Sequence, residues 1–179
     1  MALPQLGERG FRLLAYATVL VVYATIVVGA YVRATGSGLG CSDWPQCEPH
    51  AFFPDPANAA AMIEWAHRSI AAFAGLFILG LFLASLQYRR TDRRIMLSAT
   101  VAFLLLPIQA GLGAYTVWSE LNPFLSSMHM GVAAALFGAI VATAVFAHVG
   151  PRSPTAAAQG AEAPSFRGQP EPAAEGERA

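Results

Sequence analysis

Four uncharged apolar runs, each long enough to cross a lipid bilayer, constrain this chain more than any other feature. Leu13–Val32 lies between Arg12 and Arg33, Ser69–Tyr88 between Arg68 and Arg89, and Ile95–Ser119 between Arg94 and Glu120. The fourth run begins near Pro123 and ends near Val149, before Arg152. A span needs about 20 apolar residues. Backbone inside lipid must satisfy its own hydrogen bonds, so each run is predicted to be a helix. The first run is longer than the roughly 7–15 residues of a signal-peptide core, which predicts a retained helix. The expected fold is therefore all-α: a polytopic membrane protein with a four-transmembrane-helix bundle over residues 1–149, its helices spanning about 12–32, 58–88, 95–118 and 123–149.

Composition agrees with that class. Hydrophobic residues make up 55% of the chain and charged residues 12%, about half the roughly 25% charge of a soluble domain. The net charge is zero, which leaves no basic footprint for nucleic acid. The distribution of arginine is more informative than its sum. Arg89, Arg90, Arg93 and Arg94 crowd the short connection between the second and third helices. Arg9, Arg12 and Arg152 fall on that same side, whereas the opposite connections hold only Arg33. Positive residues in short loops stay cytoplasmic, so both termini are expected inside, in a multi-pass protein of the cell membrane.

The segment from Arg33 to about Pro54 is long for a connection and rich in Gly, Pro, Cys and aromatic residues, which marks it as a candidate functional loop on the outer face. Asp55-Pro56 or Asn58 would start the second helix, and Asn122-Pro123 the fourth. Small residues four apart, Ala71 with Gly75 and Ala134 with Gly138, would allow close helix approach. The four helices read as occurring once, without internal repeat. Residues 150–179, rich in Ala, Pro, Glu and Gly, are expected to form a disordered cytoplasmic tail.

The only two cysteines, Cys41 and Cys47, lie in CSDWPQC on the outer side, where disulfides persist. The intervening Pro45 favours a turn that could close the pair. A structural staple is the plainer reading, and a redox-active pair that passes electrons is the sharper one. Zinc is disfavoured, because a structural zinc site wants four ligands.

Among the four histidines, His50 and His148 read as boundary residues. His67 and His129 differ. Each stands near the outer end of a helix, and those two helices run parallel from outside to inside. Ionisable residues at such positions usually face a bundle interior, and two imidazoles at one level can hold an iron porphyrin from both faces. Glu64 is three residues before His67 and four before Arg68. It either pairs with Arg68 beside a hydrogen-bonded His67, a structural role, or serves chemistry. Gln109 reads as glue between helices. The string GSGLG follows a transmembrane helix rather than a strand, so it does not read as a nucleotide loop.

Four segments together resemble the haem A synthases that assemble cytochrome oxidase. They are GAYVRATGSGLGCSDWPQC after the first helix, IEWAHR in the second, QAGLGAYTV in the third, and LNP with His129 in the fourth, in that order over roughly residues 25–130. The resemblance implies an oxidoreductase that converts a methyl group of haem O to the formyl group of haem A. It implies His67 and His129 as the paired ligands of a haem iron, Glu64 as the carboxylate beside the substrate, and Cys41 with Cys47 as the outer cysteine pair. Haem b is the implied resident cofactor, with haem O in the same type of site. Many members of the family carry two such four-helix halves, and this chain resembles one. A homo-oligomer or a second four-helix protomer is the expected partner, alongside a haem O synthase and membrane lipid.

Rival readings come from other classes. An electron-transfer cytochrome b would use the same histidine pair and have no need of Glu64. A disulfide–quinone oxidoreductase would share four helices and an outer cysteine pair, but such enzymes generally use CxxC. A non-catalytic assembly factor that only holds haem is a fourth reading.

Overall fold

The computed structural model describes residues 6–48, 53–88 and 90–150. Four long helices account for nearly all of them: α1 Glu8–Ala34, α2 Ala59–Ser85, α3 Arg93–Trp118 and α4 Pro123–Val149. Short 3₁₀ turns follow at Ser37–Leu39 and Leu86–Tyr88. Among the described residues there is no strand. All four helices have the length and hydropathy of membrane spans, and this is a multi-pass membrane protein. At 27 residues α1 is about 40 Å long, longer than the roughly 30 Å hydrocarbon layer, so its ends reach the headgroup level. It starts before Leu13 and ends beyond Val32, because Arg12 and Arg33 continue the helix as its charged flanks.

Local chemistry sets the other starts. The Asn58 side chain accepts from the Ala61 N–H at 3.1 Å, which fixes the start of α2 at Ala59. Asp55 instead turns the chain just before it, accepting from the Ala57 N–H at 2.9 Å. Asp92 caps α3 through the Arg94 N–H at 3.0 Å. Asn122 caps α4 through the N–H groups of Phe124 and Leu125, with Pro123 in the first turn, where its missing N–H costs nothing. Pro107 lies inside α3 and removes one helical hydrogen bond there.

α1 packs on α2 and α4, and α3 packs on α2 and α4, so α2 and α4 occupy opposite corners of the bundle. Phe11, Val22, Ile78, Leu81, Ile95 and Ile140 lead the buried core. The Thr143 hydroxyl meets the Ser98 hydroxyl at 2.8 Å and ties α4 to α3. Leu20, Leu76 and Leu104 point outward, 59–68% exposed, as an apolar surface that only lipid can cover. Gly75 lies in ordinary contact with Leu106 of α3. Gly138 faces open space and Ala134 is exposed, so that pair does not serve as a helix contact. Residues 151–179, read above as the tail, lie outside the described residues, as do Arg89, Arg152 and His50.

Candidate functional site

The outer end of the bundle is organised by one turn of α2. Glu64 is only 3% exposed. Its Oε2 accepts the Cys41 N–H at 2.9 Å, and its Oε1 pairs with Arg68 Nη2. Arg68 Nη1 also donates to the backbone carbonyls of Asp43 and Gln46. Between them, Glu64 and Arg68 grip both arms of the CSDWPQC turn. The pair is buried rather than a solvated surface pair, because the loop closes over it.

Cys41 and Cys47 are joined as a disulfide, and both are almost completely buried. The sulfurs rest near the Ala61 carbonyl at 3.8 and 3.9 Å. The Trp44–Pro45 peptide bond within the turn is cis. Gly40 passes so close to Ala60 and Ala61 that a Cβ there would collide with backbone, so the loop sits directly on the first turn of α2. Burial of both sulfurs supports the staple reading, since a disulfide in exchange needs access for an attacking thiolate. From α2 the loop reaches across the bundle. Trp44 meets Trp118 edge-on at 6.1 Å between ring centroids, and Gly38 lies against Leu121. Leu121 makes that contact from a tight turn between α3 and α4 in which Glu120 and Leu121 have positive φ angles of 53° and 63°.

Beneath this roof stand His67 and His129. His67 is eight residues into α2 and His129 six into α4, which puts them about 12 and 9 Å below their helix starts. Their helices are parallel and diagonal in the bundle. Gln109 of α3 sets its Nε2 at 3.2 Å from His129 Nε2. Four buried side-chain polar atoms lack a hydrogen-bond partner among the described residues, and three of them are here: His67 Nδ1, His129 Nδ1 and Gln109 Oε1. Buried polar atoms are rarely left so without cause. No three His, Cys, Asp or Glu side chains converge as a metal site among the described residues. Two imidazoles on diagonal helices, each with an unsatisfied ring nitrogen, fit a haem iron, and they do not fit a bare metal ion, which would want more protein ligands.

Two residues whose part in this site the sequence reading missed are Gly29 and Gly113, which lie against the two imidazoles. Their signal was available: Gly-Ala-Tyr occurs at Gly29–Tyr31 and again at Gly113–Tyr115. At the inner end, His148 Nδ1 is 2.6 Å from the Tyr16 hydroxyl, an α1–α4 tie remote from the histidine pair.

Comparisons with known proteins cover the stretch that holds this site. A family described as COX15-CtaA, cytochrome oxidase assembly protein, matches residues 12–168. A protein named Heme A synthase from Bacillus pumilus is 35% identical over 150 residues, which cover 80% of this chain and 47% of that protein. A Heme A synthase from Geobacillus kaustophilus is 29% identical over 136 residues, 75% of this chain and 42% of that protein. A Protoheme IX farnesyltransferase from Halobacterium salinarum is 31% identical over 121 residues, 67% of this chain and 26% of that protein. The chain thus spans about half the length of the synthases it matches.

Proposed function

This chain belongs to the COX15-CtaA family of cytochrome oxidase assembly proteins, and we propose from that premise that it acts in haem A synthesis, oxidising a methyl group of haem O to the formyl group of haem A. The observation that carries the reading is the pair His67 and His129, on diagonal helices of the bundle and each with a buried, partnerless Nδ1. These two side chains would hold the iron of a resident haem b, or of haem O in the same type of site. A bound haem supplies one-electron redox chemistry at its iron. Gln109 orients His129 from the neighbouring helix. The disulfide loop roofs the outer end and limits water, and the apolar flanks suit a substrate with a long apolar tail delivered from lipid.

Glu64 enters this reading through the loop it holds. Both of its oxygens are engaged, one by Cys41 and one by Arg68. Direct proton transfer at the substrate would require it to let go of one of them.

The length of the synthases supports a second four-helix unit, supplied by another copy of this chain or by a related protomer. The farnesyltransferase similarity supports a supplier of farnesylated haem as a partner. The arginine-rich Arg90–Arg94 connection supports a cell-membrane location with that connection and both termini on the cytoplasmic side.

The test is an optical spectrum of the purified protein, followed by extraction and mass analysis of its haems. Haem O or haem A bound to a protein with a low-spin spectrum supports the synthase. The full engagement of Glu64 favours one rival, an electron-transfer cytochrome b. Haem b alone, with no haem A formed when haem O is supplied, selects that rival.

A further inference from the structure

The two histidines share a neighbour of the same kind. A Cβ built on Gly29 of α1 would fall 2.8 Å from His67 Cε1 and 3.4 Å from both ring nitrogens. A Cβ built on Gly113 of α3 would fall 3.3 Å from His129 Cε1 and 3.8 Å from its Nδ1. In both cases the nearest atoms met are those of the imidazole. Ordinary small-residue packing between membrane helices brings a glycine against backbone or aliphatic side chains. Gly75 against Leu106 is of that kind.

The geometry repeats in the second half of the bundle. Gly29 opens one Gly-Ala-Tyr and Gly113 the other, each near the outer end of a helix that runs outward. Each glycine packs on the histidine of the helix that follows it in the chain, α1 on α2 and α3 on α4.

We propose that Gly29 and Gly113 are positioning residues for a haem site. By lacking a Cβ they let the His67 and His129 imidazoles come close against α1 and α3, which sets the two ring planes. The inference rests on the bis-histidine reading above. It also ranks the two sites. Gly29 leaves no room at all, while Gly113 leaves a few tenths of an ångström short of comfortable contact, so alanine is worse at 29 than at 113. Gly111, two residues away on α3, has nothing within 4 Å and serves as the control for adding a methyl group to the same helix.

The experiment purifies the full chain with its bound haem as wild type, G29A, G113A and G111A. It records haem content, the optical spectrum and the low-spin electron paramagnetic resonance signal, which reports the angle between axial imidazole planes. G29A is expected to lose more than half of its low-spin haem or to shift its largest g-value. G113A is expected to shift in the same sense by less, with most of its haem retained, and G111A to match wild type. Wild-type signals from both G29A and G113A overturn the inference while leaving the haem reading intact. Equal defects in G111A and G113A overturn it too, in favour of general helix packing. Should G29A fail to accumulate, G113A decides alone. A wild-type protein without low-spin haem overturns the haem reading and this inference with it.

Discussion

Cys41 gives its backbone N–H to Glu64 Oε2 at 2.9 Å, so the carboxylate one turn above a candidate haem ligand is hydrogen-bonded to the backbone of a disulfide cysteine. The same carboxylate holds Arg68, whose other guanidinium nitrogen carries the carbonyls of Asp43 and Gln46. Charge-assisted bonds of this kind are the stronger class. Here they couple two features that are separate in the sequence, the disulfide turn and a buried acid.

The first prediction concerns that acid. Glu64→Gln keeps the size and one acceptor but removes the charge opposite Arg68, at a cost of about 1–3 kcal/mol. If Glu64 acts by holding the loop, the variant shows a lower thermal midpoint and a loop cleaved faster by protease. Its haem A yield then falls in step with its stability. If Glu64 transfers a proton, the variant folds and binds haem normally but accumulates haem O or a partly oxidised product. Extracted haem ratios measured beside a thermal melt separate the two. Normal yield with normal stability removes Glu64 from both roles.

Arg68→Lys tests the grip from the other side. Lysine keeps the charge but cannot span Glu64 and two carbonyls with one planar fork. The expected result is a loop of intermediate protease sensitivity, between wild type and Arg68→Ala. A lysine variant indistinguishable from wild type would show that charge alone suffices.

The Cys41–Cys47 bond closes a turn of sequence separation 6. Chain-entropy reasoning for so short a ring gives about 2 kcal/mol of stability. Native protein should resist alkylation at both thiols, and Cys41→Ser with Cys47→Ser should lower the melting temperature while leaving the helices inserted. Ready labelling of both cysteines in oxidised native protein would disprove the bond.

How much of this was legible in advance follows from where the physics is local. Bilayer crossing depends on run length and arginine placement, so the four helices can be read from the sequence to within a few residues. The start of α2 at Ala59 rests on the Asn58 cap, a local signal also present in the sequence. The pairing of Glu64 with Arg68 is likewise a matter of helical spacing. Its burial is not, since that depends on the CSDWPQC loop folding back by more than twenty residues. Gly29 and Gly113 were hidden for another reason. A glycine in an apolar helix has many uses, and only the tertiary placement of a ring against it selects one.

Topology gives a prediction independent of the site. Reporter fusions after Thr91 should read as cytoplasmic, and fusions after Glu120 as external. The arginines around residues 90–94 and their scarcity in the opposite connections require this. A fusion at Thr91 reading as external would invert the bundle and move the disulfide into a reducing compartment, where its persistence would need another explanation.

The last prediction is the ligand pair itself. His129→Ala and His67→Ala should each abolish the low-spin haem spectrum or convert it to high spin, because one imidazole cannot supply both axial bonds. Gln109→Leu should be milder. Gln109 approaches His129 across a helix interface at 3.2 Å, and polar contacts between membrane helices average only about 0.6 kcal/mol. Its removal is expected to keep haem bound while shifting the spectrum, as His129 loses the group that orients it. Haem content measured against protein, with the spectrum of each variant, checks all three. The ordering matters as much as any single result. If Gln109→Leu loses haem as completely as His129→Ala, Gln109 is doing more than orienting a ring. An unchanged spectrum and haem content in His129→Ala would remove it from the site, and His50, outside the described residues, would become the next histidine to change.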